Sequence, residues 1–161
     1  MQTHIEHILV PVDFGPASRQ AFRDALTVAR GYGARVTVLH VADEMSGLPG
    51  SPRMTRIPGQ REIAVSDYER TRAQLELKRM VRDVPAEFDG VPIDIRLDTG
   101  TPHLCIAAAA NEGGVDLIVM GTRARRGMEY VFLGSVAERV IRRARCPVLT
   151  TRNAQESYGR H

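Results

Sequence analysis

The chain has 161 residues, 43% of them apolar and 25% charged, with no tryptophan and a formal charge of +3. That length and balance fit one globular domain with an aliphatic core, and they exclude a disulfide-stapled miniature or a disordered chain. The net charge is too small to argue for nucleic acid or a membrane surface, and with Lys78 the sole lysine the cations are arginines.

Ile8-Leu9-Val10-Pro11-Val12 is a short continuous apolar run, which suits a central parallel strand covered on both faces; Asp13 ends it. Ser18 is the expected N-cap of a helix with Phe22, Ala25, Leu26 and Ala29 on its apolar face, terminated by Gly31 and Gly33. Val36 to Val41 reads as a second strand. Residues 42–60 contain Gly47, Pro49, Gly50, Pro52, Pro58 and Gly59, show no usable period, and are expected to form a mobile loop. A helical pattern returns from about Arg61 to Val84, with Ala73, Leu77, Met80, Val81 and Val84 on one face, and Pro85 stops it.

Ile93 to Leu97 alternates apolar with charged residues, as a strand near a sheet edge would. Thr101-Pro102 opens a helix that ends near Gly113-Gly114. Val115 to Met120 reads as a buried strand, Val136 to Arg145 as an amphipathic helix, and Val148 to Thr151 as a last strand. Strands alternating with helices imply parallel pairing through right-handed crossovers, hence an α/β fold of three layers, an α/β/α sandwich. The domain is expected to span residues 1–152, with 153–161 a loose polar tail.

Candidate chemistry gathers where the strand ending at Met120 meets the following helix through a long glycine-punctuated loop. The first amides of a helix lack internal partners and carry the positive end of its dipole, so such a junction suits phosphate. Ser135 and Glu138 also have the spacing of a capping box, which would make this an ordinary capped helix. Asp13 is open to two readings as well: an acceptor for a ribose or base, or an Asx turn onto nearby amides. Arg123, Arg125 and Arg126 either screen phosphate charge or form a solvated loop tip.

Other chemistries find little support. His40 and His103 read as structural, because no serine, cysteine or carboxylate completes a triad around them. Cys105 and Cys146 lack metal or redox spacing and are expected to be buried thiols. A Walker-type ATPase is excluded by the absence of Gly-Lys-Ser/Thr, and Gly31-x-Gly33 follows a helix, the wrong context for a dinucleotide fingerprint. Without a basic segment leading an apolar stretch, or any run of membrane-spanning length, the expected location is cytoplasmic.

Gly121, then Gly134-Ser135 thirteen residues on, followed by Val-Ala-Glu-Arg-Val-Ile and ending Cys146-Pro147-Val148-Leu149, resembles the universal stress protein family over about residues 5–151. ATP-binding members of that family carry Gly-x2-Gly-x9-Gly-Ser/Thr here; Ala124 stands where the pattern puts the second glycine, and Gly127 follows three residues later. The resemblance implies a fold like the adenine nucleotide alpha hydrolases, with a five-stranded parallel sheet in the order 3-2-1-4-5. In such a sheet ligands occupy the crevice beyond the carboxyl ends of strands 1 and 4, where the order reverses.

The implied ligand is ATP or another adenine nucleotide, with or without Mg2+, and the implied role is a stress-response sensor or regulator. Pro11, Val12, Asp13 and Val41 would lie beside the base and ribose together with Met120 and Gly121, while Arg123 and the backbone around Ala124, Gly127, Gly134, Ser135 and Val136 would hold phosphates. A homodimer through the last strand, Val148, Leu149 and Thr150, is also implied. Two alternatives stand beside this: a dimeric interaction module of the same fold with an empty pocket, motivated by Ala124, and a slow ATP hydrolase, for which no catalytic residue can be assigned.

Overall fold

Every residue of strand β1 (His7–Pro11) is buried, so this strand runs through the middle of the sheet with helices on both faces. The computed structural model describes residues 4–42, 54–55, 63–122 and 133–152. In it β1 pairs in parallel with β2 (Arg35–Ala42) on one side and β4 (Leu117–Gly121) on the other. Strand β3 (Ile93–Thr99) continues the sheet beyond β2, and β5 (Val148–Thr151) beyond β4. The order is therefore β3-β2-β1-β4-β5, all parallel, as expected.

Helices α1 (Pro16–Tyr32) and α2 (Val65–Arg82) cover one face, and α3 (Pro102–Glu112) and α4 (Ser135–Ile141) the other. Alternation along the strands feeds two cores. Ile8, Val10, Val36, Val38 and Val119 pack against Phe22, Leu26 and Leu77, whereas Leu9, Leu39, Ile118 and Met120 pack against Ile106, Ala110 and Val140. The core is aliphatic, and its only fully buried large side chains are leucine, isoleucine and valine among the described residues.

Several boundaries differ from the sequence reading. Helix α1 begins at Pro16 behind Gly15, not at a Ser18 cap, because Pro16 supplies the fixed φ that suits a first turn. It runs through Gly31 and stops at Gly33, whose φ of 71° makes the left-handed cap. Helix α2 begins at Val65 rather than about residue 61, and Met54–Thr55, inside the expected loop, pairs antiparallel with Ile63–Ala64, inside the stretch expected to be helical. The rest of the 42–60 segment, and the tail 153–161, lie outside the described residues apart from Ala42. Helix α4 ends at Ile141, four residues short of the expected Arg145.

The two edges of the sheet are unlike. On β3, Asp94 and Arg96 are exposed, with Arg96 paired to Asp98 at 2.8 Å and Arg35 reaching Asp94 at 3.7 Å. Such charges discourage strand addition. Strand β5 carries none, and its Leu149 is 42% exposed.

A buried histidine closes the opposite end of the sheet from these carboxyl termini. His7 is 7% exposed; its Nδ1–H donates to the Gly113 carbonyl at 3.2 Å, and its Nε2 accepts from the Thr37 hydroxyl at 2.8 Å. A carbonyl only accepts, which assigns the proton of the neutral ring to Nδ1. Burial, followed by the Arg35 charge, pushes its pKa below the ordinary histidine value. Because the folded value is the lowered one, its stabilisation is complete above the unfolded value of about 6.5 and is lost as pH falls through the folded value. The melting temperature should therefore drop as the pH falls below about 6.5, and His7→Gln should flatten that slope. Identical slopes in the two proteins would remove His7 as a cause.

Candidate functional site

Where the strand order reverses, the carboxyl ends of β1 and β4 diverge and leave an opening of about 340 Å³. That size lies within the range of small-molecule sites. Four stretches converge on it: Pro11 to Asp13 after β1, Leu39 to Val41 on β2, Met120-Gly121 at the end of β4, and Leu133 to Ala137 at the start of α4. Ala17 and Ser18 of α1 and Pro102 and Ile106 of α3 complete the wall.

The turn after β1 sets the acidic corner. Val12 N–H still follows the ladder, donating to the Leu39 carbonyl at 2.8 Å, and the chain then folds back sharply. Asp13 Oδ1 accepts from Gly15 N–H at 2.9 Å, the Asx turn that the sequence left open, and also from the Ser18 hydroxyl at 2.9 Å. Asp13 nevertheless remains exposed and lines the cavity, so the local and the cavity-facing roles coexist. Phe14 takes φ of 64°, the only positive value outside glycine among the described residues, at a cost of about 1–2 kcal/mol.

That strain is held by contacts on three sides. The Phe14 ring stacks on His40 with centroids 4.5 Å apart, His40 Nδ1–H donates to the Val12 carbonyl at 2.8 Å, and Arg19 Nε–H donates to the Phe14 carbonyl at 3.1 Å. Strained residues over-determined by their surroundings cluster at functional sites. His40 is thus structural in its bonding while forming part of the cavity wall.

Gly121 has a reason to be glycine that its motif did not reveal. A Cβ there would overlap the Ala17 carbonyl carbon and lie 2.6 Å from both the Ala17 oxygen and the Ser18 nitrogen. The first turn of α1 therefore presses directly on the end of β4. Next to it, Thr122 anchors the start of the following loop, its N–H and hydroxyl donating to the Thr151 carbonyl at 2.9 and 3.2 Å.

At α4 the capping box, one of the two readings of this junction, does not form. Gly134, with φ of 79°, takes the N-cap position, so Ser135 is the first helical residue and no side chain caps the helix. Glu138 then falls one residue too far along to reach back; its carboxylate instead accepts from Arg142 at 3.0 Å. Gly134 to Ala137, at the positive end of the helix, line the cavity.

Of the sequence-derived site residues, Pro11, Val12, Asp13, Val41, Met120, Gly121, Gly134, Ser135 and Val136 all line this one cavity. Arg123, Ala124 and Gly127 lie outside the described residues. Pattern reading missed Ala17 and Ser18 on α1, Leu39 and His40 on β2, and Pro102 and Ile106 on α3 as wall residues. None of these carries a local signal, since only the packing of α1 and α3 on the sheet brings them in. His103 is buried on α3 and is not among the residues lining the cavity, and its pKa is lowered by burial and then by the charges of Arg139 and Arg143. Cys105 and Cys146 are half-buried, and burial pushes the Cys146 thiol up, away from reactivity. No cluster of metal-ligating side chains occurs among the described residues, nor is any of their helices long and apolar enough to cross a membrane.

Comparison with known proteins agrees with the geometry. Residues 4–152 match the model of the universal stress protein family. A universal stress protein of Methanocaldococcus jannaschii is 34% identical over 151 residues, covering 92% of this chain and 83% of the relative. The solved structure of universal stress protein UspA from Lactobacillus plantarum superposes with a TM-score of 0.73 at 26% identity, over 92% of this chain and 99% of that one. A universal stress protein from Archaeoglobus fulgidus, solved in complex with dAMP, shares the fold with a TM-score of 0.63 at 24% identity, over 93% of this chain and 99% of that one.

Proposed function

This chain belongs to the universal stress protein family, and on that premise we propose that its cavity holds an adenine nucleotide, ATP first, and that it acts as a nucleotide-responsive regulator in a stress response. One observation carries the reading: an apolar wall, an exposed carboxylate and the open start of a helix meet in a single crevice at the sheet's switch point. Those three surfaces match the three parts of a nucleotide. Val12, Val41 and Met120 offer the base an apolar seat, Asp13 offers the sugar an acceptor, and the amides from Gly134 to Val136 offer the phosphates donors. We extend the proposal to Arg123 and the backbone at Ala124 and Gly127 as further phosphate partners, although they lie outside the described residues. The dAMP complex of the Archaeoglobus fulgidus protein supports the ligand class.

Titration calorimetry of the purified protein with ATP and Mg2+ is expected to give saturable heat, and nucleotide is expected to be released from the protein on denaturation. Absence of both at high micromolar nucleotide overturns the reading. Ala124 favours a second one, an interaction module with an empty pocket. Ala124→Gly separates them, because affinity that appears only in the glycine variant assigns the natural protein to the empty type.

Assembly as a homodimer through Val148, Leu149 and Thr150 belongs to the same proposal, supported by the uncharged edge of β5 and the exposed Leu149. Light scattering at micromolar concentration should return twice the chain mass.

A further inference from the structure

A residue in the first turn of α1 bonds Asp13 twice. Ser18 is 5% exposed, and its hydroxyl group is engaged from two directions. Its oxygen accepts from Asp13 N–H at 3.3 Å, while its single proton lies 2.9 Å by heavy atoms from Asp13 Oδ1 and 3.1 Å from the Gly15 carbonyl. Of the two acceptors the anionic one makes the stronger bond. Asp13 is thereby gripped by both its backbone and its side chain, with Gly15 N–H holding the same Oδ1 at 2.9 Å.

Ser18 itself cannot drift. The backbone at Ala17-Ser18 is seated against Gly121 at van der Waals contact, and Arg19 ties the next residue of α1 back to the Phe14 carbonyl. An unrestrained aspartate at a solvent-exposed position samples several rotamers, and a ligand that needs one of them must bear the cost of selecting it.

We propose that Ser18 is a positioning residue, holding the Asp13 carboxylate as a pre-set acceptor for the adjacent hydroxyl pair of a ligand's sugar. The inference rests on the nucleotide reading above. The sugar, rather than the base, is the partner because Asp13 is an exposed carboxylate, while the lining residues Val12, Leu39, Ile106 and Met120 are buried and apolar and suit a base. A hydroxyl pair supplies donors to match an anionic acceptor, and each bond to a charged group is worth about tenfold or more in affinity.

Calorimetric titration with ATP and with 2′,3′-dideoxyATP, both with Mg2+, tests this in the wild type, Ser18→Ala and Ser18→Thr. The wild type should prefer ATP by about tenfold or more. Ser18→Ala should lose most of that preference, and Ser18→Thr should regain it. The ratio of two affinities within one variant is independent of the fraction folded, so a purely structural effect of the substitution does not move it. A preference retained in Ser18→Ala overturns the inference, and so does equal binding of both nucleotides by the wild type. Binding of neither by the wild type overturns it together with the reading on which it rests.

Discussion

Gly121→Ala should be the most damaging small substitution at the site. The added methyl would overlap backbone atoms of Ala17 and lie 2.6 Å from Ser18 N, and neither is the far end of a flexible side chain that could swing aside. Helix α1 would have to lift from β4, opening a core that contains Phe22 and Val119. Overpacking of this kind costs about 3 kcal/mol or more when backbone must move. For a chain of this size each kcal/mol shifts the melting temperature by roughly 2–4 °C, so a fall of about 6–12 °C is expected. Gly31→Ala is the control: it lies inside α1, a Cβ there meets nothing within 4 Å, and it should raise stability by about 0.5–1 kcal/mol. Chemical denaturation of both variants measures the contrast, and equal midpoints would refute the close approach of α1 to β4.

The second large effect is expected at Asp116, just before β4. Its Oδ2 accepts from both Glu6 N–H at 2.9 Å and His7 N–H at 3.0 Å, while its own N–H donates to the His7 carbonyl at 2.9 Å. This bracket holds the first residues of β1 and β4 in register where the regular pairing has not yet begun. Asp116→Ala leaves two amides without their acceptor. Water can replace it at exposed Glu6 but less readily at buried His7, so a loss of about 2 kcal/mol is expected. Asp116→Asn keeps one acceptor oxygen and should recover part of that stability. Unfolding curves in urea compare the three proteins, and an alanine variant as stable as the wild type would show the bracket to be dispensable.

The sequence was informative wherever one residue's chemistry sufficed. The unbroken apolar run of β1, the alternation of Ile93 to Leu97, and the face made by Ala73, Leu77 and Met80 each identify an element without reference to the rest of the chain. Gly134-Ser135 marked the start of α4 to within a residue for the same reason. Reading failed where two local solutions compete. Ser-x-x-Glu at residues 135–138 has the form of a capping box, but Gly134 can adopt positive φ more cheaply and takes the cap, which shifts the serine inside the helix. Ser18 looked like a cap because it stands near the helix start, yet Pro16 begins the helix and Ser18 turns back to Asp13.

Tertiary contacts account for the remaining misses. Leu39 and Ile106 belong to the cavity wall only because β2 and α3 pack together, and neither differs in pattern from a plain core residue. Gly121 was placed beside a ligand's base and ribose, and it does line the cavity, but the close packing of α1 that leaves no room there for a Cβ was invisible in the motif. No spacing rule carries that contact.

The unlike margins of the sheet also limit how large an assembly can become. A sheet bare on both sides could add copies without end and build a ribbon. Here one margin of the five-stranded sheet is armed with Asp94, Arg96 and Asp98, leaving β5 as its uncharged edge. The proposed two-fold pairing there would consume the vacant margin of each copy at once and leave only charged flanks to a third.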